Sequence, residues 1–497
     1  DVEGVAAAGA AAAGVGGEAA QAATEGVDVK LSRSGNAADE EALQRYQYVH
    51  DDSEVDFALI VALLEYAYAS EYEKGATLIF MSGWQDISNM IDELSRHDGF
   101  GDAARFKLLP LHSGIPTAKQ KEIFKPVPRG VYKIIVSTNI AETSITVNDV
   151  AFVVDTGRVK EKSYDPHMKT STMDTTWVTK AASTQRKGRA GRVRAGCCWH
   201  LFSLRRFESM REHVESELLR TSLEELCLQA KALGLTPGAA ADPNGLRAFL
   251  GKAVDAPHEK AIDHGIAVLT DLGALADDGS ERLTQLGVVL SDLVVHPRLG
   301  KMVLWAMVLN CAASALKVAA VCSYREPFVL PASQGARRAA NANKKGLAQG
   351  YSSDHAALLS AVDGFEGANG TRNKRQFCDN NFLSFSTMQM VLKIAGQLGR
   401  DLGKFGFPNP MAKNQPHGSG GGGGSPLDGS RPLMFSVLAA GLYPNVARRL
   451  RGETNFTCSE LTADGRKVRA SPGSLVSKKA AKDGKCTVEE ELVVFGE

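Results

Sequence analysis

Between residues 55 and 205, short apolar runs that end in small polar residues alternate with segments of helical period. This alternation leaves few folds open. ATLIFMSG, FKLLPLHS, YKIIVSTN and DVAFVVDTG read as strands, and VDFALIVALLEYAYASEY, WQDISNMIDELSRH and TAKQKEIFK place apolar residues at helical spacing. A strand that is apolar at successive positions is buried on both faces, so the pattern predicts an α/β domain built on a parallel sheet covered on both sides. Such sheets bind ligands at the carboxyl ends of their strands. That rule singles out the loops Ser82-Gly83, His112-Ser113 and Ser137-Thr138-Asn139.

With 497 residues the chain exceeds one ordinary core, so roughly two to four domains are expected. Past about 205 the pattern turns mostly helical. ESELLRTSLEELCLQAKAL and EKAIDHGIAVLTDLGAL are amphipathic, and ADDGSERLTQLG reads as a small hairpin, together the outline of a winged helix. RLGKMVLWAMVLNCAASALKVAAVCSY is nearly all apolar and reads as one or two buried bundle helices. LMFSVLAAGLYPNVARRL reads as helical, and TNFTCSEL, KVRASPGSL and CTVEEELVVFG read as strands of a small barrel. Residues 1–45, rich in Ala, Gly and acids, hold too little apolar surface to offset their ordering entropy and are expected to be disordered. Residues 417–430, HGSGGGGGSPLDGS, read as a flexible linker, either a natural low-complexity insertion or an engineered joint.

Lys plus Arg equals Asp plus Glu at 57 each, so a polyanionic partner must be met by local patches, not a global field. No apolar run approaches the roughly 20 residues that span a bilayer, and no membrane partner is expected. The eight cysteines show no metal-binding spacing, and adjacent Cys197 and Cys198 suit no disulfide framework. An intracellular setting, cytoplasmic or nuclear, is the expectation. His258, His264 and His296 lack metal spacing and read as surface or capping residues.

The sharpest local signal is TQRKGRAGRVRAG, residues 184–196, with five basic residues within nine and no acid. Glycines such as Gly188 let backbone approach an anion, and guanidinium forks suit phosphate oxygens. Read as a helix N-terminus, the segment is an anion site, with Arg189 and Arg192 on one face and Gln185 nearly aligned one turn earlier. Two guanidiniums on a transferring phosphoryl group would stabilise transition-state charge. A basic loop that contacts RNA is the other reading of the same residues.

STNIAETSITV (137–147), QRKGRAGR (185–192) and LIFMSG (78–83) together resemble motifs V, VI and IV of the DEAH-box (DExH) helicases of superfamily 2. The likeness extends through PLHSGIP, LRTSLEELCLQAKALGL, RLTQLGVVLSDLVVHPRLGKMVL and AGLYPNVAR, and SGW with RKGRAGR looks most like the branch that holds RNA helicase A and G-quadruplex-resolving enzymes. The resemblance implies a second RecA-like domain over 46–205, a winged helix over 206–284, a ratchet domain over 285–416 and, past the linker, an OB-like fold over 431–497. It implies ATP as cofactor, with Gln185, Arg189 and Arg192 at the phosphates, Phe124 on adenine, and Ser144 and Thr146 on the nucleotide side of their loop. Phe124 read by itself serves equally as a core-facing helix residue. Asn148 stands where many relatives carry the Asp that touches ribose. On the RNA backbone it implies Thr138 and Asn139, alongside Ser82, Gly83, His112 and Ser113 at the neighbouring strand ends. RVKEKSYDPHMKTSTMDTTWV (158–178) resembles the β-hairpin placed at the duplex junction, with Lys160 and Lys162 toward phosphate; alone it also reads as a solvated hairpin.

A helicase also needs a Walker A loop and an acidic DExH motif for Mg²⁺. Neither is in this sequence: Lys252, Lys301, Lys404 and Lys485 each follow a glycine but precede Ala253, Met302, Phe405 and Cys486, where Ser or Thr is required. Mg²⁺ and most phosphate contacts are therefore expected from a first RecA-like domain in the same or another chain. The chain by itself is expected to be inactive as an NTP hydrolase. The implied activity is 3′→5′ movement on single-stranded or structured RNA, with G-quadruplex nucleic acid as a further partner. A non-catalytic RNA-binding scaffold is the alternative.

Overall fold

A computed structural model describes residues 45–494 apart from 47, 52–53, 71–73, 116, 144–146, 166–169, 191–194, 240–241, 330, 332–333, 413–424, 454, 459–466, 469, 471–473 and 477–489. The chain divides into two compact units: 1–161 with 173–214 and 331–334, and 162–172 with 215–330 and 335–497. The expected disordered segment 1–45 falls almost wholly outside the described residues.

The first unit is built on a five-stranded sheet, ordered β2-β3-β1-β4-β7. Its strands are β1 (Ala76–Phe80), β2 (Phe106–Leu111), β3 (Tyr132–Ser137), β4 (Val150–Asp155) and β7 (Cys197–His200), all paired in parallel. Every residue of β1 and of β4 is buried, as the continuous apolar runs require. Alternate side chains feed two cores. Ile79, Ile134, Val136, Phe152 and Val154 meet Ile60 and Leu64 of helix α1 (Phe57–Ala69) and Met90 and Leu94 of α2 (Trp84–Arg96). Leu78, Phe80, Leu111, Ile135 and Val153 face the other way, where only short elements cover them. Those elements include α3 (Thr117–Gln120), the 3-10 turn Lys121–Phe124 and α4 (Ile140–Thr143). Cys197 and Cys198 fall on opposite faces, one in each core, as neighbours on a strand must.

Strands β5 (Arg158–Asp165) and β6 (Thr170–Trp177) pair as the expected two-stranded hairpin. At its base the Arg158 guanidinium lies 3.6 Å from the Trp177 ring centroid, and Arg206, on α6 (Leu204–Ser209), lies at 5.0 Å. Helix α5 (Lys180–Lys187) follows, with Thr179 capping its start through Ala182 N–H and Gly188 closing its end.

A buried ion cluster ties these pieces together. Arg186 of α5 is fully buried; its guanidinium pairs with Asp155 at the end of β4 (2.8 Å) and Glu142 of α4 (2.7 Å) and lies 4.8 Å from the Phe80 ring centroid. Asp155 also accepts from Gly157 N–H at Oδ1, and its Oδ2 accepts from the Ser183 hydroxyl and lies 3.2 Å from His200 of β7. Burial pushes the Asp155 carboxyl up, but Arg186 and His200 more than offset it and hold the group well below the usual carboxylate range. At Glu142 burial wins over the Arg186 charge, and the Asp155 charge adds to it, so its carboxyl is raised. Of the two acids sharing one guanidinium, Glu142 takes a proton first.

The second unit is mostly helical. Helices α7 (Glu217–Arg220), α8 (Glu224–Ala232), α9 (Leu246–Leu250), α10 (Glu259–Asp271) and α11 (Gln285–Asp292) surround Leu223, Leu228, Leu246, Ile262, Leu269 and Leu290, with Tyr164 of the hairpin in the same core. The hairpin expected in ADDGSERLTQLG is a single antiparallel bridge, Leu275 to Leu283. The long apolar run forms two helices, α12 (Pro297–Val308) and α13 (Ala312–Ser323), broken at Asn310, whose φ is 54°. They pack with α15 (Asp354–Gly367), α17 (Phe385–Gly403) and α18 (Arg431–Leu442) around Met302, Leu316, Phe365, Val391 and Val437. α14 (Gln334–Leu347) and α16 (Gly370–Asn380) complete the set. His258 and His296 cap α10 and α12 through their side chains, and His264 stacks on Tyr164.

Two expectations change here. Residues 443–450 are not helical: Pro444 cannot continue α18, and Val446–Leu450 instead form strand β8. With β9 (Phe456–Cys458), β10 (Lys467–Val468) and β11 (Glu490–Val494) it makes an antiparallel sheet ordered β10-β9-β8-β11. The expected linker 417–430 lies outside the described residues up to 424, while Ser425–Ser430 hold a capped turn whose Asp428 accepts from Ala313 N–H and the Ser314 hydroxyl. The glycine-rich part therefore ends in a segment docked on α13. Among the described residues no helix is long and apolar enough to cross a membrane.

Two measurements follow from this packing. A Cβ at Gly441 of α18 would lie 2.3 Å from the Met302 Cβ, whereas at Gly367 it would meet nothing within 4 Å. Gly441→Ala is expected to cost about 1–3 kcal/mol in urea unfolding, and Gly367→Ala to be neutral or stabilising by about 0.5–1 kcal/mol. Asp155→Asn leaves Arg186 buried with one partner fewer and is expected to cost about 3–5 kcal/mol. The stability that Asp155 contributes is complete above the ordinary Asp range, about pH 4, and drains as pH falls below it toward the depressed value. That acid limb should be missing from Asp155→Asn.

Candidate functional site

The carboxyl edge of the sheet gathers most of the strand-end residues named from sequence. β2, β3 and β1 are neighbours, so His112-Ser113, Thr138-Asn139 and Ser82-Gly83 line up along one edge. Ser113 and Asn139 are exposed, His112 is half-buried, and Ser82 and Thr138 are buried. The Ser82 hydroxyl donates to Asp86. The His112 ring accepts from Gly114 N–H (3.0 Å) and packs 5.7 Å from Trp84. Gly83, extended at φ −166°, precedes α2 without a side-chain cap, and a Cβ there would lie 3.1 Å from the Lys160 stem. Gly83 and the exposed Lys160 thus meet, while Lys162, half-buried, belongs to the second unit.

The basic segment is placed differently from expectation. Gly188 to Ala190 do not open a helix: α5 ends at Lys187, Gly188 is its C-cap, and Arg189 lies in the turn beyond, its N–H donating to Arg186 O. An N-terminal anion site is therefore ruled out here. The reason is local: Thr179 is a strong N-cap two turns earlier, and Gly188 supplies a favourable stop. Cations at a helix C-terminus complement its dipole, which suits Arg186 and Lys187. The expected common face of Arg189 and Arg192 falls outside the described residues. Arg186 points into the ion cluster, Gln185 is exposed, and Arg192 lies outside the described residues.

Arg189 is 8 % exposed, and its guanidinium donates to the backbone carbonyl of Glu142. Its stem lines a small apolar cavity with Leu78, Leu111, Ile135, Ala141, Val147 and Val150, on the face covered by short elements. Phe124 borders the same face: Ile123 before it is buried in the core that also holds Ala190, while Phe124 itself is 51 % exposed. The core-facing alternative for Phe124 is thereby removed. Asn148 and Gly188 are exposed, and Ser144 and Thr146 lie outside the described residues. A planar aromatic left in solvent can stack on a base, and a guanidinium held by a carbonyl can meet anionic oxygens.

Sequence reasoning missed Glu142, Asp155 and His200. Asp155 carried a signal, an acid closing an otherwise apolar strand, VAFVVD. Its side-chain partners come from α5 and β7, 28 to 45 residues away in sequence, and no local pattern joins them.

Comparison with known proteins bears on the same segments. The helicase conserved C-terminal domain matches residues 57–194, and the ratchet-like helicase associated domain (HA2) matches 296–358. The chain is 37 % identical over 490 residues to the DExH-box ATP-dependent RNA helicase DExH6 of Arabidopsis thaliana, covering 97 % of this chain and 35 % of that protein. It is 40 % identical over 400 residues to the ATP-dependent DNA/RNA helicase DHX36 of Rattus norvegicus, covering 80 % and 38 %. To DExH2 of Arabidopsis thaliana it is 36 % identical over 464 residues, covering 92 % and 28 %. The chain spans about a third of the length of these relatives. With the helicase conserved C-terminal and ratchet-like associated domains matched in order and these relatives along nearly its whole length, the chain belongs to the DEAH-box (DExH) helicase family.

Proposed function

We propose that these residues work as the C-terminal part of an ATP-dependent helicase that moves 3′→5′ along single-stranded RNA and unwinds RNA structure. In this reading the first unit is the second RecA-like domain. Residues 206–284 act as a winged helix, 285–416 as a ratchet and 431–497 as an OB-like domain that together hold the strand. The observation that carries the reading is Arg189, a nearly buried guanidinium fixed at a turn on the face of the sheet that holds Leu78 and Ile135, with Phe124 exposed next to Ile123 of the same core.

In the working site Arg189, with Arg192 and Gln185, meets the γ-phosphate, Phe124 stacks on adenine, Asn148 reaches the sugar, and Gly188, Ser144 and Thr146 line the nucleotide loop. Nothing in this sequence supplies a phosphate loop, so ATP and Mg²⁺ are held chiefly by a first RecA-like domain. These residues fit the half of the site that stabilises charge. Thr138, Asn139, Ser82, Gly83, His112, Ser113, Lys160 and Lys162 contact the RNA backbone. Contacts of this kind position a strand without reading its sequence. Two of the relatives' names include DNA as well as RNA or RNA alone, so structured RNA, G-quadruplex and DNA substrates belong in one unwinding assay.

RNA-stimulated ATP hydrolysis, measured for the chain alone and mixed with a first RecA-like domain of the same family, tests this. Activity is expected only in the mixture, with kcat reduced roughly 10³-fold by Arg189→Ala. RNA binding without hydrolysis in either case would instead identify a non-catalytic scaffold. Phe124→Ala should raise the KM for ATP about tenfold, within what base stacking on an aromatic contributes, and leave RNA affinity unchanged.

A further inference from the structure

Glu142 is held from two sides by two different arginines. Its side chain pairs with the Arg186 guanidinium at 2.7 Å, and its backbone carbonyl accepts from Arg189. Arg186 cannot yield: it is fully buried, locked to Asp155 at 2.8 Å, and rests on Phe80. Glu142 in turn sits in α4, a single turn whose first residue follows Asn139 and whose Glu142 N–H bonds back to Asn139 O at 2.9 Å. One rigid turn therefore has the strand-end residues Thr138 and Asn139 at its start and the carbonyl that anchors Arg189 near its end.

We propose that Glu142 is a positioning residue for Arg189. Its carboxylate, clamped by Arg186, fixes the orientation of α4, and this orientation aims the carbonyl on which the Arg189 guanidinium rests. This rests on the reading of Arg189 given above; the geometry of the clamp does not.

Glu142→Ala removes the clamp and leaves the carbonyl. In the two-component ATPase assay it should lower kcat roughly 10- to 100-fold, as a misplaced catalytic group does. The KM for ATP and RNA affinity should stay within about twofold, since neither contact is removed. In an Arg189→Ala background it should cost nothing further, because the two changes act through one group. Glu142→Gln, which keeps a hydrogen bond to Arg186, should recover most of the loss and serves if the alanine variant folds poorly. Full kcat in Glu142→Ala, or losses that multiply in the double variant, would overturn the proposal. A second measurement needs no turnover: in ¹⁵N-arginine spectra of the chain, Arg189 side-chain protons should exchange faster in Glu142→Ala than in the wild type, while Arg189 unaffected there would also overturn it. If the wild-type mixture hydrolyses no ATP, the catalytic reading falls and the exchange measurement alone decides the clamp.

Discussion

Arg186 is the residue on which the first unit turns. A guanidinium without solvent contact is tolerated only when its charge and its donors are matched, and here Asp155, Glu142 and the Arg158 carbonyl do the matching. Each partner belongs to a different element. The charge that burial makes costly to leave unpaired thus becomes the reason that β4, α4 and α5 hold one arrangement. Apolar packing alone would leave these short elements loosely specified, because among the described residues no long helix contributes to the core on that face of the sheet. His200 and Ser183 extend the network to β7 and back to α5 through the same carboxylate.

Much of the first unit was legible in the sequence because burial on both faces writes itself as continuous apolar runs. β1 through β4, the hairpin and the long helices fall where composition and period place them. The boundary that mattered most was read wrongly. Glycine and arginine in GRAGR suit either end of a helix, and the deciding residue was Thr179, a cap nine residues upstream of Gly188. Capping is a one-residue signal and is easily outweighed by a conspicuous charge cluster. The same weakness hid the strand after Pro444, where VARRL has no alternation strong enough to contradict a helix continuing from α18.

The candidate site was legible as a set of strand ends, and less so as a constellation. Ser82, His112 and Thr138 each end a run that predicts its own strand, and strand adjacency then gathers them. Arg189 and Phe124 were found through motif resemblance; composition offered each a plainer role. The pairing of Glu142 and Asp155 with Arg186 was invisible because an ion pair between distant segments leaves no trace in the spacing of either one. What sequence withheld was the pairing of charges, a property of the folded chain.

On the phosphate-facing role proposed for Arg189, its resting place has a consequence for nucleotide affinity. A guanidinium already donating to a carbonyl does not gain the full value of a phosphate contact; binding is an exchange of one acceptor for another. The net gain is the difference between a charge-assisted bond to phosphate and a neutral bond to the carbonyl. Such an exchange weakens attraction for any stray anion of low charge density and favours one carrying several oxygens at the right distance. The carbonyl of Glu142 acts in this sense as a filter, setting how strong an acceptor must be before the arginine changes hands.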